Sequence, residues 1–505
     1  MDAPFHHGGL RVAHIGIDTY QEPVVYMHAD CEVCRSEGFA ALARVRLSLD
    51  GREIIATLNV VHSNLLSKHE AGLSDAAWIA LGARPGGLVQ VSHPDPIESF
   101  SKVRGKIYGR TLDADDFQTI IGDIVGGRYS GLEMASFVTA CAGDHLSFGE
   151  TIDLTKAMVA AGTRLTWPGH PIVDKHCIGG LPGNRTTPII VAIVAAAGLV
   201  MPKTSSRAIT SPAGTADTME TIAPVTLSLP AMRRVVEREG GCVVWGGAMG
   251  ISPADDILIH VERPLDFDSD GQLTASVLSK KIAAGSTHAL IDIPVGPTAK
   301  VRSTASAQAL ASRLVDVGNA LGLVVKTIET DGMQPVGRGI GPALEARDLL
   351  AVLRGSPEGP QDLADHATDL AGHILEFGGK AQPGHGAAQA KALLADGRAW
   401  RKFQAICDAQ GGMREPPTAP YSQVIFAAKT GAVMAMDNRR LARLAKLAGA
   451  PRAPAAGLGL HVRLEDRVET GQPLFTLYAE TPGELAYAMT YFSAHEHAIA
   501  IRAPQ

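Results

Sequence analysis

Residues 203–220 are Lys-Thr-Ser-Ser-Arg-Ala-Ile-Thr-Ser-Pro-Ala-Gly-Thr-Ala-Asp-Thr-Met-Glu, and no other stretch of this 505-residue chain restricts its fold and chemistry as strongly. From Thr204 to Thr215 it holds six hydroxyl side chains, one guanidinium and one glycine. A core helix or strand rarely holds so many hydroxyls, because each buried one needs a hydrogen-bond partner. Hydroxyls, backbone N–H groups and an arginine on one loop suit an oxyanion such as phosphate. A solvated Ser/Thr-rich linker is the alternative.

A second informative stretch lies upstream, Asp174-Lys-His-Cys-Ile-Gly-Gly-Leu-Pro-Gly-Asn-Arg-Thr-Thr187. The apolar residues 171–173 predict a strand before it, and the apolar run 188–200 predicts a buried helix after it. Such a strand, loop and helix start favour an anion site, because free N–H groups at a helix N-terminus point at the ligand. Lys175 would add a mobile positive charge, although an ordinary strand end is the alternative for Lys175 and His176. The glycine spacing differs from that of a Walker A loop, which disfavours a nucleotide kinase.

With these two stretches on view, the chain resembles the thymidine and pyrimidine-nucleoside phosphorylases. The signature of that family has an Arg followed by Gly-Thr-x-Asp-x-x-Glu, here Arg207 and 214–220. The longer branch of the family, the AMP phosphorylases, is similar in both stretches and in Ile291-Asp-Ile-Pro-Val-Gly-Pro-Thr-Ala-Lys300. The resemblance covers nearly the whole chain. One departure is Cys177, which stands where the family usually has a phosphate-contacting Ser; a thiol is a weaker donor than a hydroxyl.

The resemblance implies a set of site residues. Asp268, eight residues before Ser276, matches the presumed proton donor of the AMP-type branch. Lys280 matches a base-contacting lysine of the short enzymes, with a solvated helix face as the alternative for the Lys280-Lys281 pair. The phosphate and substrate ligands implied in this way are Lys175, Gly180, Ser206, Arg207, Ala208, Ile209, Thr210, Ser211, Thr215, Ser276, Lys280 and Lys300.

Two further positions bear on the substrate. Lys300 follows the apolar run 289–296, which predicts a buried parallel strand, and ligands in open α/β sheets bind beyond the carboxyl ends of strands. Where the short enzymes carry an Arg-Asp pair whose Arg grips the pyrimidine, this chain has Val261-Glu262, and neither side chain can donate as a guanidinium does. We therefore expect phosphorolysis of a nucleoside 5′-monophosphate, as in AMP phosphorylase, giving free base and ribose 1,5-bisphosphate. The alternative is a thymidine phosphorylase.

Bulk composition agrees with a soluble enzyme. The net charge is −6 and the pI about 6.3, so no nucleic-acid partner is expected. No apolar run reaches the length of a membrane span, and the N-terminus lacks the apolar segment of a signal peptide, which together predict a cytoplasmic protein. Six cysteines are too few for a disulfide framework.

Neither a metal nor a cofactor is expected. Cys31-x-x-Cys34 is a single pair without a second ligand pair nearby, so a zinc site is disfavoured. The segment 266–271 imitates the opening of a calcium loop, but Val277 stands where that loop needs a bidentate Glu. Instead, an aspartate of this segment is expected to cap a helix beginning near Ser269. The expected ligands are inorganic phosphate and a nucleoside or nucleoside monophosphate.

The expected fold is α/β with a helical domain, flanked by a small N-terminal β-rich domain and a C-terminal α+β domain like a barrel-sandwich. Period-two alternation around an Asp-Gly pair predicts a hairpin over 43–61, and capping boxes at Ser130 and Ser147 predict two helix starts. The predicted domains are 1–90 (β-rich), 95–162 (helical, with about 253–285 returning to it), 165–425 (α/β, phosphate-binding) and 430–505 (C-terminal α+β).

Two other classes of protein remain as alternatives. A phosphoribosyltransferase such as anthranilate phosphoribosyltransferase shares the helical and α/β architecture but needs a magnesium-bound diphosphate. A carrier protein is the other, because 457–478 resembles the biotinyl and lipoyl module. A carrier needs an acceptor lysine, however, and none occurs after Lys446. We expect a homodimer or a larger homo-oligomer, as in the resembling family.

Overall fold

The computed structural model describes residues 9–169, 171–208, 211–265 and 269–502, which form two compact units, 1–140 and 141–505. Asp268, Ile209 and Thr210, three of the expected site residues, lie outside the described residues.

The first unit contains a closed six-stranded barrel followed by three helices. The strand order around the barrel is β1-β5-β2-β4-β3-β6. The elements are β1 Leu10–His14, β2 Val24–His28, α1 Glu32–Glu37, β3 Arg44–Leu49, β4 Arg52–Val61, β5 Glu70–Leu73, α2 Asp75–Leu81, β6 Leu88–Ser92, α3 Phe100–Ile107, α4 Ala114–Val125 and α5 Gly131–Ala140.

The hairpin predicted over 43–61 is confirmed as β3 and β4. The two strands pair antiparallel, and the turn between them is Asp50-Gly51, whose φ angles are 50° and 79°. Positive φ at both central residues is the geometry that Asp-Gly favours, because its twist matches that of the strands. Val45, Leu47 and Leu49 point into the barrel core, and the alternate residues Arg44 and Arg46 do not.

Reciprocal hydrogen bonds define the predicted helix starts. At α5, the Ser130 hydroxyl accepts from the Glu133 backbone N–H, and the Glu133 carboxylate accepts from that of Ser130. In the second unit, Ser147 and Glu150 make the same exchange. Both capping boxes are confirmed.

The second unit carries the remaining elements. They are α6 Phe148–Ala160, β7 Val173–Cys177, α7 Thr186–Ala196, β8 Met201–Ser205, α8 Thr215–Glu220, α9 Leu229–Glu239, β9 Gly241–Trp245, α10 Pro253–Leu265, α11 Asp270–Ala283, β10 His288–Val295, α12 Thr304–Ala320, β11 Val324–Asp331, β12 Gly339–Ile340, α13 Pro342–Leu353, α14 Gln361–Phe377, α15 Gly386–Ala395, α16 Arg398–Gln410, β13 Tyr421–Phe426, β14 Gly431–Met436, α17 Asn438–Leu447, β15 Gly457–Leu460, β16 Arg467–Val468, β17 Pro473–Ala479, α18 Pro482–Ala494 and β18 Ile499–Arg502, with 3₁₀ turns at Gly246–Met249 and Glu496–Ala498.

A parallel sheet forms the centre of this unit. β10 lies between β11 and β7, β8 pairs with β9, and a parallel bridge from Ile172 to Val200 joins the two groups. The strand predicted at 289–296 is confirmed as β10. The strand predicted at 171–173 lies two residues further along, at Val173–Cys177, so the polar residues Asp174 to Cys177 belong to the strand itself.

Helices cover both faces of the sheet. Along β10, Leu290 packs into a core with α7, α8, α13, α14 and α16, whereas Ile291 packs into a second core with α11 and α12. A parallel strand buried on both sides is apolar at successive positions, as this one is. All carboxyl ends of the strands therefore meet at one edge, where the chain leaves the sheet in loops.

Helices α10 and α11 pack against α6. The cap of α11 is Ser269, whose hydroxyl accepts from the Gln272 backbone N–H. The expectation that an aspartate caps this helix is wrong; a serine hydroxyl reaches the same N–H group with no charge to desolvate.

The C-terminal part holds two small sheets around one core. Their strand orders are β12-β15-β17-β13 and β16-β14-β18. Helices α17 and α18 pack on this core, with Leu441, Leu444 and Ala488 buried in it. Within the described residues, no helix is both long and apolar enough to cross a membrane.

Candidate active site

Two loops meet at the carboxyl edge of the sheet. Gly180, in the loop after β7, has φ of 82°, and a Cβ added there would lie 2.2 Å from the backbone N of Lys300 in the loop after β10. Only glycine fits this contact, because any side chain would collide with backbone. The structure thus brings together Gly180 and Lys300, two of the expected ligand residues.

The carboxylate of Asp217 organises the hydroxyl-rich loop after β8. Its Oδ2 accepts hydrogen bonds from the backbone N–H of Ala208 at 2.6 Å and of Gly214 at 2.9 Å, from opposite ends of the loop. Gly214 must be glycine, because a Cβ would lie 2.6 Å from Ala208 N and from Arg207 C. The Gly-Thr-x-Asp part of the signature therefore closes this loop.

Arg207 is bound by residues of the same signature. Its guanidinium lies 2.5 Å from Glu220 Oε2 and 3.3 Å from Asp217 Oδ1, and it stacks over Trp245 with 4.7 Å to the ring centroid. Two carboxylates of the protein thus contact the Arg207 guanidinium, which was expected from the sequence to bind an anionic ligand. The exposed Ser206 and the loop backbone are then the described groups of this loop best placed to meet an added anion.

Two of the other hydroxyls have partners inside the loop region. Ser211 Oγ donates to Ala213 O at 2.9 Å, and Thr215 Oγ1 accepts from the Arg185 guanidinium at 2.9 Å. Arg185 is itself paired with buried Glu345, with 2.6 Å between Nε and Oε2. These bonds hold the loop after β7 and the loop after β8 to each other.

Buried ion pairs lie beneath the loops. Lys175 is 1% exposed, and its Nζ lies 3.2 Å from Asp292 Oδ2 and 3.1 Å from Thr186 Oγ1. The expectation of a mobile positive charge at Lys175 is therefore wrong, since both partners hold it in the interior. At the preceding strand position, Asp174 pairs with Lys281 at 2.5 Å and with Lys203 at 3.3 Å.

These lysines determine the protonation of their neighbours. Burial, together with the charges of Lys281, Lys280, Lys203 and Lys175, holds the pKa of His176 well below its usual value, so its imidazole is neutral at neutral pH. Burial also lowers the pKa of Lys203 to about 7, although Asp174 opposes that shift. A lowered pKa is expected for Lys203, because Lys203 and Lys281 share the single carboxylate of Asp174.

Cys177 is a thiol and not a thiolate. Burial and the nearby Asp292 raise its pKa to about 12. Its Sγ accepts a long contact of 3.5 Å from Asn184 Nδ2. As a neutral thiol, Cys177 has only a weak S–H donor, as expected from the sequence.

A second cluster lies on α10 and α11. Lys280 Nζ is 2.7 Å from Asp255 Oδ2 and donates to Ser276 Oγ at 3.0 Å. Burial and the neighbouring Asp255 raise the pKa of Asp256 to about 6. The pKa of Glu262 is also raised by burial and Asp255, while the charges of Lys280 and Lys300 act against the rise.

Sequence reasoning missed the roles of three of these carboxylates, Asp292, Asp217 and Asp255, the last of which it considered only as an alternative proton donor. Each acts through a partner that is distant in sequence or through backbone groups, and no local pattern reveals such a contact. Asp217 alone had a signal, its place in the signature. Among the described residues, no group of three or more His, Cys, Asp or Glu side chains is placed to hold a metal ion.

Models of three protein families match the chain. The "Glycosyl transferase family, a/b domain" matches residues 169–400, the "Glycosyl transferase family, helical bundle domain" matches 102–162, and the "Pyrimidine nucleoside phosphorylase C-terminal domain" matches 432–498.

Individual relatives extend over nearly the full length. A protein of Polaromonas sp. (strain JS666) is 64% identical over 97% of this chain and 96% of its own, and one of Legionella pneumophila (strain Corby) is 58% identical over 95% and 93%. Both bear the name "Putative thymidine phosphorylase". Among solved structures, anthranilate phosphoribosyltransferase from Thermus thermophilus has a TM-score of 0.50 at 19% identity, covering 61% of this chain and 98% of its own. That likeness concerns the fold alone.

Proposed function

Because the chain belongs to the thymidine and pyrimidine-nucleoside phosphorylase family, and is thus a pentosyltransferase acting on a nucleoside and phosphate, we propose that its substrate is thymidine or a closely related pyrimidine nucleoside. The products would be thymine and 2-deoxyribose 1-phosphate. The names of the relatives at 57–64% identity support this substrate better than AMP, the first expectation from the sequence.

The observation that carries the proposal is the cluster of Lys280, Ser276 and Asp255. It brings together an ammonium, a hydroxyl and a carboxylate, with Lys280 Nζ 2.7 Å from the Asp255 carboxylate and 3.0 Å from the Ser276 hydroxyl. Pyrimidine bases present carbonyl oxygens that accept hydrogen bonds and a ring N–H that donates one. Lys280 and Ser276 would donate to the carbonyls, and Asp255 would orient the lysine.

Phosphate would bind at the carboxyl edge of the sheet. The hydrogen-bond donors would be neutral groups: Gly180, Ser206 and the backbone of the loop that Asp217 closes. Such donors can bind an anion without a mobile cation beside it. A phosphate oxygen would form a bond to C1′ of the pentose as the C1′–N bond breaks. The base would leave with the electron pair and take up a proton.

We propose Asp268 as the donor of that proton, on the basis of its spacing from Ser276 and of the family resemblance. Asp256 is the second candidate, because its raised pKa of about 6 keeps part of it protonated near neutral pH. His176 is a poor donor, because its imidazole has already lost its acidic proton at neutral pH. Asp268→Asn should lower kcat by roughly 10²–10⁴-fold with little change in the KM for phosphate. Near-normal turnover would move the role to Asp256.

A second candidate substrate, a nucleoside 5′-monophosphate, is favoured by one specific observation. Lys300 extends from the loop that contacts Gly180, and its charge reaches Glu262 in the α10 cluster. A cation in that position could bind a 5′-phosphate on the side of the sugar opposite the attacking phosphate. The products would then be free base and ribose 1,5-bisphosphate.

A substrate panel tests the proposal. Thymidine, uridine, adenosine, AMP, CMP and UMP would each be incubated with phosphate and without added metal, and the release of base followed. We expect thymidine to react fastest. Lys300→Ala should change the kcat/KM for thymidine by less than about tenfold, which is less than the loss of one charge-assisted contact would cause. A monophosphate that reacts at least about tenfold faster than its nucleoside, with a preference that Lys300→Ala removes, would establish the second candidate instead. A requirement for magnesium and a sugar diphosphate would overturn both.

We also propose that the protein is a homodimer or a larger homo-oligomer. The family resemblance supports this assembly. Light scattering coupled to size-exclusion chromatography would report the mass, and a single chain of 52.9 kDa would overturn it.

A further inference from the structure

The C-terminal part of the chain is hydrogen-bonded to the loop after β10. Helix α17 begins at Asn438, whose backbone N–H donates to the Thr298 hydroxyl at 3.1 Å. The first N–H groups of a helix have no partner inside it. Those of Arg439 and Arg440 donate to the Asp437 carboxylate, each at 3.0 Å. Thr298, from a different part of the fold, accepts from Asn438 instead.

The Asn438 side chain makes a second contact at the same edge of the sheet. Its Nδ2 donates to the carbonyl of Gly332, in the loop after β11, at 2.9 Å. Asn438 is 1% exposed, and within the described residues its buried Oδ1 has no hydrogen-bond partner. Burying an unpaired oxygen opposes stability, so the donor to Gly332 is what this amide contributes.

The Gly332 carbonyl packs on the start of the loop after β10. A Cβ added to Gly296 would lie 2.3 Å from the Gly332 oxygen, so only glycine permits this approach. Asn438 therefore holds the loop after β10 in two ways. It binds Thr298 directly, and it binds the carbonyl that packs on Gly296.

The same loop touches the candidate phosphate site, because the backbone N of Lys300 lies 2.2 Å from the position that a Cβ on Gly180 would take. Two loops in backbone contact cannot move independently, since a shift of one displaces the other. We propose that Asn438 and Thr298 are positioning residues, which hold the loop after β10 against Gly180 and so pre-form the phosphate site. This inference rests on the proposed function, which assigns phosphate to this edge of the sheet. It gives the C-terminal part a role in substrate binding through residues that act at a distance from the substrate.

A pre-formed loop affects the affinity for phosphate and leaves the chemical step unchanged. Without the hydrogen bond between Asn438 and Thr298, the loop populates several positions, and phosphate binding must order it, which weakens the apparent affinity. At saturating phosphate the loop has the same position in the variant and in the wild type, so kcat is the same. A role confined to folding would instead lower the free energy of unfolding and leave both kinetic constants of the folded enzyme unchanged.

Thr298→Val and Thr298→Ser form the central pair of variants. Valine has nearly the shape of threonine but no acceptor, whereas serine keeps the hydroxyl. We expect Thr298→Val to raise the KM for phosphate by roughly 5–10-fold with unchanged kcat, and Thr298→Ser to restore the wild-type KM. Asn438→Ala, which removes the donor to Gly332, should raise the same KM by a similar factor. The matched control is Thr430→Val, because the exposed Thr430 hydroxyl accepts from the backbone N–H of Thr470 at the same distance, 3.1 Å.

Hydrogen–deuterium exchange on the full chain, without substrate, tests the positioning independently of the reaction. Thr298→Val should speed exchange in peptides covering 296–301 and 178–181, because the loop after β10 and the loop it contacts open more often. Thr298→Ser and Thr430→Val should leave both peptides as in the wild type. A wild type that releases no base in the presence of phosphate would overturn the proposed function, and the exchange pattern would still decide whether Thr298 positions the loop.

Three results would overturn the positioning role. The first is a wild-type KM for phosphate in both Thr298→Val and Asn438→Ala. The second is a KM raised equally in Thr298→Ser or in the Thr430→Val control, which would separate the effect from the Thr298 hydroxyl. The third is unchanged exchange at 296–301 in Thr298→Val.

Discussion

The Asp217 carboxylate gives the sharpest test of whether the hydroxyl-rich loop binds phosphate. It accepts from the backbone N–H groups of Ala208 and Gly214 and contacts Arg207. In Asp217→Ala, both N–H groups lose their acceptor, and each unsatisfied group costs about 1–3 kcal/mol. Because the loop is partly exposed, water would recover part of this cost, and we expect a total of about 2–3 kcal/mol.

If that energy is lost from the phosphate-bound state, the KM for phosphate should rise by roughly 30–150-fold. The kcat at saturating phosphate should fall much less, since the groups around the nucleoside are unchanged. Asp217→Asn should be intermediate, because its amide oxygen can still accept from the two N–H groups but has no charge. Initial rates at varied phosphate, with nucleoside saturating, measure both constants.

The control is Asp396→Asn, which removes a surface carboxylate that accepts from the backbone N–H of Arg398. It should leave the KM for phosphate unchanged. An Asp217→Ala enzyme with a normal KM for phosphate would refute the assignment of this loop to phosphate. A variant that instead unfolds at a lower urea concentration, with normal KM in the folded protein, would assign Asp217 a purely structural role.

Three other predictions follow from the same region. Gly214→Ala should abolish saturable phosphate binding in rate assays while leaving the chain folded by circular dichroism, because its Cβ would force the loop open. Asp174→Asn should lower the free energy of unfolding by about 3–5 kcal/mol in urea titrations, because Lys281 loses its buried partner. Lys203 has its pKa lowered from 10.5 to about 7, so the unfolded chain binds more protons than the folded one between those pH values and stability rises with pH there. The free energy of unfolding of the wild type, relative to that of Lys203→Met, should therefore rise by up to about 1.4 kcal/mol per pH unit between about pH 7 and 9. Urea unfolding at about pH 7 and at about pH 9 measures this rise.

Local chemistry made part of this structure predictable. The Asp50-Gly51 turn and the Ser147 capping box are determined by neighbours within a few residues, so the sequence contains everything that decides them. The apolar run of β10 was predictable for the same reason. The start of β7 was misplaced because Asp174 and Lys175 are polar residues in a buried strand, and polar residues enter such a strand only when distant partners neutralise them.

The candidate site was predictable as a set of positions but not as a set of roles. Gly180 and Lys300 were expected ligands, and the structure places them in contact. Lys175 and Arg207 were expected to face an anion, yet Asp292 and Glu220 hold them. A signature records which residues occur together, and it does not distinguish a residue that binds the ligand from one that builds the loop.

The buried lysines explain why His176 is informative about this edge of the sheet. Four lysines act on its imidazole, and the carboxylates that contact them are Asp174, Asp292 and Asp255. This leaves one positive charge in excess below about pH 7 and none once Lys203, whose pKa is lowered to about 7, has lost its proton. Burial contributes most to the low pKa of His176, and the lysine charges add to it. Those lysine charges would also stabilise the dianionic form of a phosphate bound beside His176, and the dianion is the better nucleophile toward C1′. They belong to side chains held in buried ion pairs, so they can promote attack without forming contacts that would have to break in the transition state.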